Sequence, residues 1–346
     1  MKKGKQSVIF QKDIFINDAA SYVGKRESEG NLRDYFQNVL QDDLMKEKSY
    51  ELAETKMQKM TVEKLFEVSG KSAKDFDCIM GGDLQNQIFA TSFCAREFDI
   101  PFFGLYGACS TFGEGLCAGG LFIESGNFKN IIVVTSSHFS SAERNYRFPL
   151  ELGNQRTPLS QWTVTASGAV TLSDEKYKDF APKITAITVG KVVDFGVTDA
   201  NNMGAAMAPA ACDTLVRHFN AAETLPEDYD YIVTGDLGAY GSKLLEKLTA
   251  EAGFPVKSRH LDCGKIIYRM DEKDYQGGSG AGCSAVVLCS YLLRELRKKP
   301  MKIAFLATGA LLSTVTTQQG ESIPAVSHLV VISSRDEDMS CGERAD

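Results

Sequence analysis

Four segments recur in the same order in the two halves of this 346-residue chain, and no other feature limits its fold so tightly. IMGGDLQNQ (79–87) is answered by IVTGDLGAY (232–240), each reading as strand, glycine, Asp, Leu. A helix of small residues over 109–125 is answered by SGAGCSAVVLCSYLLREL (279–296). KNIIVVTSS (129–137) pairs with MKIAFLATG (301–309), and SGAVTLS (167–173) with HLVVISS (328–334). Short apolar strands resemble one another by chance, but a preserved order at offsets of about 150 to 170 residues points to an internal duplication. The boundary falls after the charged stretch DEKYKD, giving an N-terminal half over 1–182 and a C-terminal half over 183–346.

The strands are mostly apolar and separated by helices, as in an α/β sheet covered on both faces. SYELAETKMQKMTVEKLFEVSG (49–70) carries apolar residues at helical spacing and stops at a glycine, which predicts an amphipathic helix. A net charge of -7 without a Lys/Arg run argues against nucleic acid as the main partner. The nine cysteines form no CxxC pair, which fits a reducing compartment. The apolar pieces near the start are broken by Gln, Lys and Asp, so no secretory signal is read there, and no segment reaches the roughly 20 apolar residues of a membrane span. A soluble, cytoplasmic-type protein is expected, with any membrane association peripheral.

FGLYGACSTFGEGLCAGGLFIESG (103–126) puts Cys109 where a strand ends and the small-residue helix begins. A helix N-terminus stabilises a thiolate, so Cys109 is expected to be more acidic than the other eight cysteines. Its alternative role is that of a small core hydrophobe. The glycines and alanines after it allow close approach to the equally small-faced helix 279–296, giving two buried helices at the centre of the molecule.

GLYGACSTFGEGL resembles the active-site segment of the thiolase superfamily, especially its condensing ketoacyl synthases, whose cysteine accepts an acyl group. The resemblance implies a thiolase-like α/β fold, five-layered αβαβα, made of two similar halves and usually homodimeric. It also implies a histidine and an asparagine, or two histidines, from the second half. IVTGDLGAY offers Gly235 and Asp236 where the histidine belongs, and QGGSGAG offers Gly278 and Ser279 in place of the asparagine. Losing a general base forgoes about 10² to 10⁴-fold in rate, and losing an oxyanion donor about 10² to 10³-fold more. Cys109 is thus expected to be a vestigial nucleophile position, with no residue assigned a catalytic role.

Longer motifs are similar to a narrower family: EGNLRDYFQNVLQDD (29–43), AETKMQKM (53–60), GDLQNQIFATSF (82–93), SSHFSSAERNYRFPLELGNQRTPLSQWTVTASGA (136–169) and ATGALLSTVTTQQGESIPAVSHLVVI (307–332) resemble the stage V sporulation protein AD family of endospore-forming bacteria. That resemblance implies a non-enzymatic component of the machinery that moves dipicolinic acid, with its calcium, into the developing spore. The partners implied are dipicolinic acid and the other membrane proteins of the stage V sporulation A operon, at the forespore inner membrane. Slow acyl transfer or thioester hydrolysis through Cys109, and a purely structural adaptor, are the competing readings.

Cys109, Asp83, His138 and Arg144 are the candidate ligand-binding residues. Asp83 ends a strand on the same sheet edge as Cys109, where ligands of open α/β sheets collect; equally, it would cap the helix that follows. His138 follows a strand at the same edge and would donate to a carboxylate, or be a loop histidine satisfied by backbone. Arg144, Arg147 and Arg156 lie in a long loop-like segment with Trp162, and arginine suits a carboxylate clasp; solvated surface arginines are the alternative. His218 is read on the polar side of a helix, and His260 and His328 flank strands, so these three are structural. Their scatter gives no zinc motif, and no cofactor or metal site is expected.

Overall fold

Strands that bury both faces need a layer on each side, and this chain supplies three helical layers for two five-stranded sheets. In the computed structural model the described residues are 1–146, 156–270 and 275–335. The first half contributes β1 (Phe15–Val23), β2 (Cys78–Gly82), β3 (Phe102–Gly104), β4 (Asn130–Ser137) and β5 (Ala166–Ser173). The second contributes β6 (Lys183–Thr188), β7 (Tyr231–Thr234), β8 (His260–Asp262), β9 (Lys302–Ala310) and β10 (Ala325–Ser333). Read outward from the centre, the first half runs β1-β5-β4-β2-β3 and the second β6-β10-β9-β7-β8. The two orders are the same.

The mixture of directions repeats as well. β2 is parallel to both β3 and β4, whereas β5 is antiparallel to β4 and β1. β7 is parallel to β8 and β9, and β10 antiparallel to β9 and β6. The halves join where Phe15 of β1 pairs with Lys183 of β6. An N-terminal hairpin, Lys2–Lys3 with Ser7–Ile9, adds to the edge of β6.

The helices are α1 (Tyr50–Ser69), α2 (Phe89–Arg96), α3 (Thr111–Glu124), α4 (Phe139–Tyr146), α5 (Met203–Ala222), α6 (Gly238–Glu251) and α7 (Ala281–Val287). α1 matches its sequence expectation: the Ser49 hydroxyl accepts from the Leu52 amide at 3.3 Å, and Gly70 ends the helix in the left-handed region at φ 68°. α1 and α2 cover the outside of the first sheet, and α5 and α6 the outside of the second. α3 and α7 fill the middle layer, which completes the five-layered arrangement expected from the thiolase-like resemblance.

The small residues of α3 have a direct cause. A Cβ on Gly113 would lie 2.7 Å from Ala307 of β9, while one on Gly115 would lie 2.6 Å from Val133 of β4. The helix therefore touches both sheets at once. On the other side of the layer, Gly168 of β5 backs onto α7, where an added Cβ would lie 2.8 Å from the Ala285 carbonyl carbon. Gly168→Val is expected to cost about 1–3 kcal/mol through overpacking, read as a lower urea midpoint with unchanged m-value.

Two elements depart from expectation. Cys109 lies ahead of α3, in a single 3₁₀ turn over Ala108–Ser110. The second central helix is interrupted, because a π turn over Leu288–Leu292 separates α7 from Leu293–Lys298. His218 also differs: it is buried in α5, where its Nδ1 meets the Thr188 hydroxyl at 2.9 Å and its Nε2 the Tyr229 hydroxyl at 2.7 Å. Two hydrogen-bond partners compensate for that burial.

Candidate functional site

The chain leaves β3, passes Leu105–Gly107 and reaches Ala108, whose φ of 52° lies in the left-handed region that a residue with a Cβ seldom occupies. Three hydrogen bonds pin this turn. The Ser110 hydroxyl donates to the Gly107 carbonyl at 2.7 Å, the Thr111 hydroxyl to the Ala108 carbonyl at 2.7 Å, and the Gly107 amide to the Thr111 hydroxyl at 3.1 Å. The turn aims Cys109 at the second half of the chain while leaving it 6% exposed.

The second half meets it with Asp236 and Ser279. After β7 the chain turns sharply, and Asp262 at the end of β8 holds the turn by accepting from the Leu237 amide at 2.8 Å, the Gly238 amide at 3.1 Å and the Thr234 hydroxyl at 2.6 Å. Ser279 is placed by the short pairing of Gly278–Ser279 with Trp162–Thr163. Its hydroxyl lies 3.6 Å from the Cys109 sulfur and donates to Asp236 Oδ2 at 2.8 Å. Asp236 also accepts from the Gly280 amide at 3.0 Å and the Thr308 hydroxyl at 2.8 Å. The Gln161 side-chain amide braces the same corner, donating to the carbonyls of Asp236 at 2.6 Å and Gly278 at 3.0 Å.

A hollow with about 550 Å³ of empty space, its open mouth included, lies beside the sulfur. Leu84, Ala142 and Tyr146 of the first half and Met203, Ala310 and Leu312 of the second form its apolar walls. Cys109, Thr163, Ser279, Gln161 and Glu143 supply polar atoms. Mostly apolar walls with a few convergent polar groups describe a small-molecule site. Among the described residues, no histidine, asparagine, lysine or arginine lines it.

The electrostatics reverse the expectation of an acidic thiol. Burial pushes the Cys109 thiol well above its ordinary value, and the facing Asp236 carboxylate pushes it further. A thiolate here would be desolvated and would oppose an anion, and those two effects outweigh the end of α3. Burial likewise raises Asp236 above the usual carboxylate range, while hydrogen bonds from the Cys109 thiol, the Thr308 and Ser279 hydroxyls and the Gly280 amide pull the other way.

The other candidates are placed elsewhere. Asp83 is fully buried, but its carboxylate serves the backbone: Oδ1 accepts from the Gln85 amide at 2.7 Å, and Oδ2 from the Thr91 amide at 2.7 Å and hydroxyl at 2.6 Å. It caps the start of α2 and does not line the hollow. His138 is also buried, with Nε2 2.8 Å from the Asp43 carbonyl and Nδ1 accepting from the Ser140 amide at 3.2 Å. Those contacts put its proton on Nε2. It too lies outside the lining, and burial lowers its pKa. Arg144 is exposed and pairs with Glu51 at 3.3 Å. Arg156 does not line the hollow but is buried behind its wall residue Glu143, 3.5 Å away; Arg147 lies outside the described residues. Cys109 is thus the one member of the original set at the hollow, and the structure adds Asp236, Ser279, Gln161, Glu143 and Tyr146.

Sequence reasoning also missed a buried polar cluster behind α2. Glu54 accepts from Gln85 at 2.8 Å, Ser136 at 3.0 Å and Ser141 at 2.7 Å, and Gln58 donates to Thr91 at 3.0 Å. The available signal was Glu54 and Gln58, four residues apart on the helix face that carries Ala53 and Met57. Burial, and the nearby Asp83 carboxylate, raise the pKa of Glu54. Among the described residues, no group of three or more His, Cys, Asp or Glu side chains could hold a metal ion, and no helix is long and apolar enough to cross a membrane.

The family model for stage V sporulation protein AD matches residues 4–333. The stage V sporulation protein AD of Bacillus subtilis (strain 168) is 40% identical over 329 residues, spanning 95% of this chain and 96% of that one. Among solved structures, 3-oxoacyl-(acyl carrier protein) synthase III from Xanthomonas oryzae pv. oryzae superposes with a TM-score of 0.58 at 14% identity, covering 93% of this chain and all of that one. The synthase III of Aquifex aeolicus gives 0.54 at 14% identity, over 92% and 99% of the two chains. OleA of Xanthomonas campestris gives 0.58 at 13% identity, over 94% and 100%. At such identities these structures share the fold.

Proposed function

The chain belongs to the stage V sporulation protein AD family, and from that premise we propose that it is a non-enzymatic binding component of the sporulation machinery that imports dipicolinate. It takes the ligand, with or without calcium, into the hollow beside Cys109. The observation that carries this reading is the pairing of that hollow with a buried acid, Asp236, where a condensing enzyme needs a base. The mostly apolar walls suit an aromatic ring. The same family membership supports a working place at the forespore inner membrane, with the other stage V sporulation A-operon membrane proteins as partners. A homodimer is in keeping with the exposed Phe103 and Tyr106 at the free edge of the first sheet.

Titration calorimetry with dipicolinate tests the reading. Saturable heat is expected from the native chain, and Ala142→Leu, which fills the hollow, is expected to weaken binding about tenfold or more, or about 1.4 kcal/mol. Equal binding by a folded Ala142→Leu chain would move the site elsewhere, and absence of heat from the native chain would leave the adaptor role. A second reading, slow acyl transfer, is favoured by one feature: Cys109 itself lines the hollow. Incubation with acyl-CoA and intact-mass analysis separates the two, since a covalent adduct on Cys109 supports transfer.

A further inference from the structure

The positions occupied by a histidine and an asparagine in condensing enzymes are held here by Asp236 and Ser279, and their hydrogen-bond arithmetic has a direction. Asp236 Oδ2 receives the Gly280 amide proton at 3.0 Å, which cannot be reversed, and the Ser279 hydroxyl proton at 2.8 Å. Oδ1 receives the Thr308 hydroxyl at 2.8 Å. The single proton of Ser279 is therefore spent on the carboxylate, and its oxygen has only lone pairs to offer the sulfur 3.6 Å away. The contact is consistent in one sense alone, with the thiol donating.

We propose that Asp236, facing the sulfur directly and acting together with Ser279, is a positioning residue that holds Cys109 as a neutral, hydrogen-donating thiol. Forming a thiolate would require Ser279 to withdraw its proton from a buried carboxylate and turn it to sulfur, leaving Asp236 short of a donor and facing a second anion. The other titratable groups around Cys109 do not offset this. Glu143 and Tyr146 of α4 line the hollow, and Cys283 of α7 lies nearby. None of them is a cation, and the one described cation behind that wall, Arg156, is paired with Glu143 at 3.5 Å, so the set offers the sulfur no partner that stabilises a thiolate. The arrangement suits a chamber that binds without forming a covalent bond. In that meaning it rests on the proposed function, although the state of the thiol is measured without any ligand.

Asp236→Asn is the decisive substitution. The Gly280 amide requires an oxygen at its corner, so the new amide nitrogen faces Thr308, and shape is kept while charge is lost. The rate of Cys109 alkylation by iodoacetamide, followed by peptide mass mapping across pH, is expected to rise about tenfold or more at about pH 8, with the profile moved about one unit or more toward acid. Ser279→Ala removes the hydroxyl acceptor but keeps the carboxylate; the Cys109 S–H infrared band is expected to shift as the thiol is left with Asp236 alone, while alkylation stays slow. A folded Asp236→Asn chain with an unmoved pH profile overturns the proposal. Should that variant not fold, an unchanged S–H band in Ser279→Ala overturns it instead. Failure of dipicolinate to bind touches neither readout, so the two ideas fail separately.

Discussion

Asp262→Ala is expected to lower folding stability by about 3–5 kcal/mol, because it strands several buried donors at once. The carboxylate accepts from the Leu237, Gly238 and Lys265 amides and from the Thr234 hydroxyl, all between 2.6 and 3.1 Å. It is 2% exposed, so water cannot replace those bonds in place. The turn it holds carries Asp236, and the loss is expected to show in Cys109 reactivity as well as in denaturation. Asp262→Asn keeps one acceptor oxygen and is expected to lose less than half as much. Urea unfolding measures both; a change below about 1 kcal/mol in the alanine variant would mean that the turn does not depend on residue 262.

Stability is expected to fall as pH rises from about 6.5 to about 8.5, by about 1 kcal/mol from Glu27 alone and by more once Glu54 is included. Burial raises Glu27 from 4.5 to about 7, against the Tyr268 hydroxyl and the Thr165 amide that donate to it. Burial raises Glu54 in the same direction. Each carboxyl keeps its proton in the folded chain at a pH where the unfolded chain has released it. The stability linked to that proton is complete below about 4.5 and disappears as pH climbs through the folded value.

His218 and His328 act with the opposite sign. Burial lowers both from 6.5 to about 4, so the unfolded chain binds more protons between those values and stability rises with pH up to about 6.5. Carboxyls and histidines oppose each other below that point; above it the carboxyls act without them, and the buried thiols, whose pKa is raised as well, add to the decline near pH 8.5. Glu27→Gln and Glu54→Gln should each flatten the alkaline decline in urea midpoints. A native chain equally stable at both ends of that range would show that these groups titrate normally.

The duplicated order of strand, small-residue helix and strand was legible in the sequence because repetition survives in the pattern of apolar and small residues. So were the helix over 49–70, fixed by Ser49 and Gly70, and the glycine-rich helix that follows Cys109. The narrower family was legible too, since its motifs run from residue 29 to residue 332. All of these are signals carried by neighbours along the chain.

The composition of the hollow was decided by contacts that no local pattern records. Asp83 and His138 end strands at the expected sheet edge, yet both were drawn into capping and loop contacts by the nearest backbone groups, Thr91 and Gln85 for one and Asp43 and Ser140 for the other. Asp236 and Ser279 look in sequence like losses; only the folding of β7 and β8 against the start of α7 brings them to Cys109, across more than 120 residues of chain. The thiol's protonation was out of reach for the same reason. A helix N-terminus can be read from spacing, whereas desolvation and a facing carboxylate exist only after the two halves have closed over the sulfur.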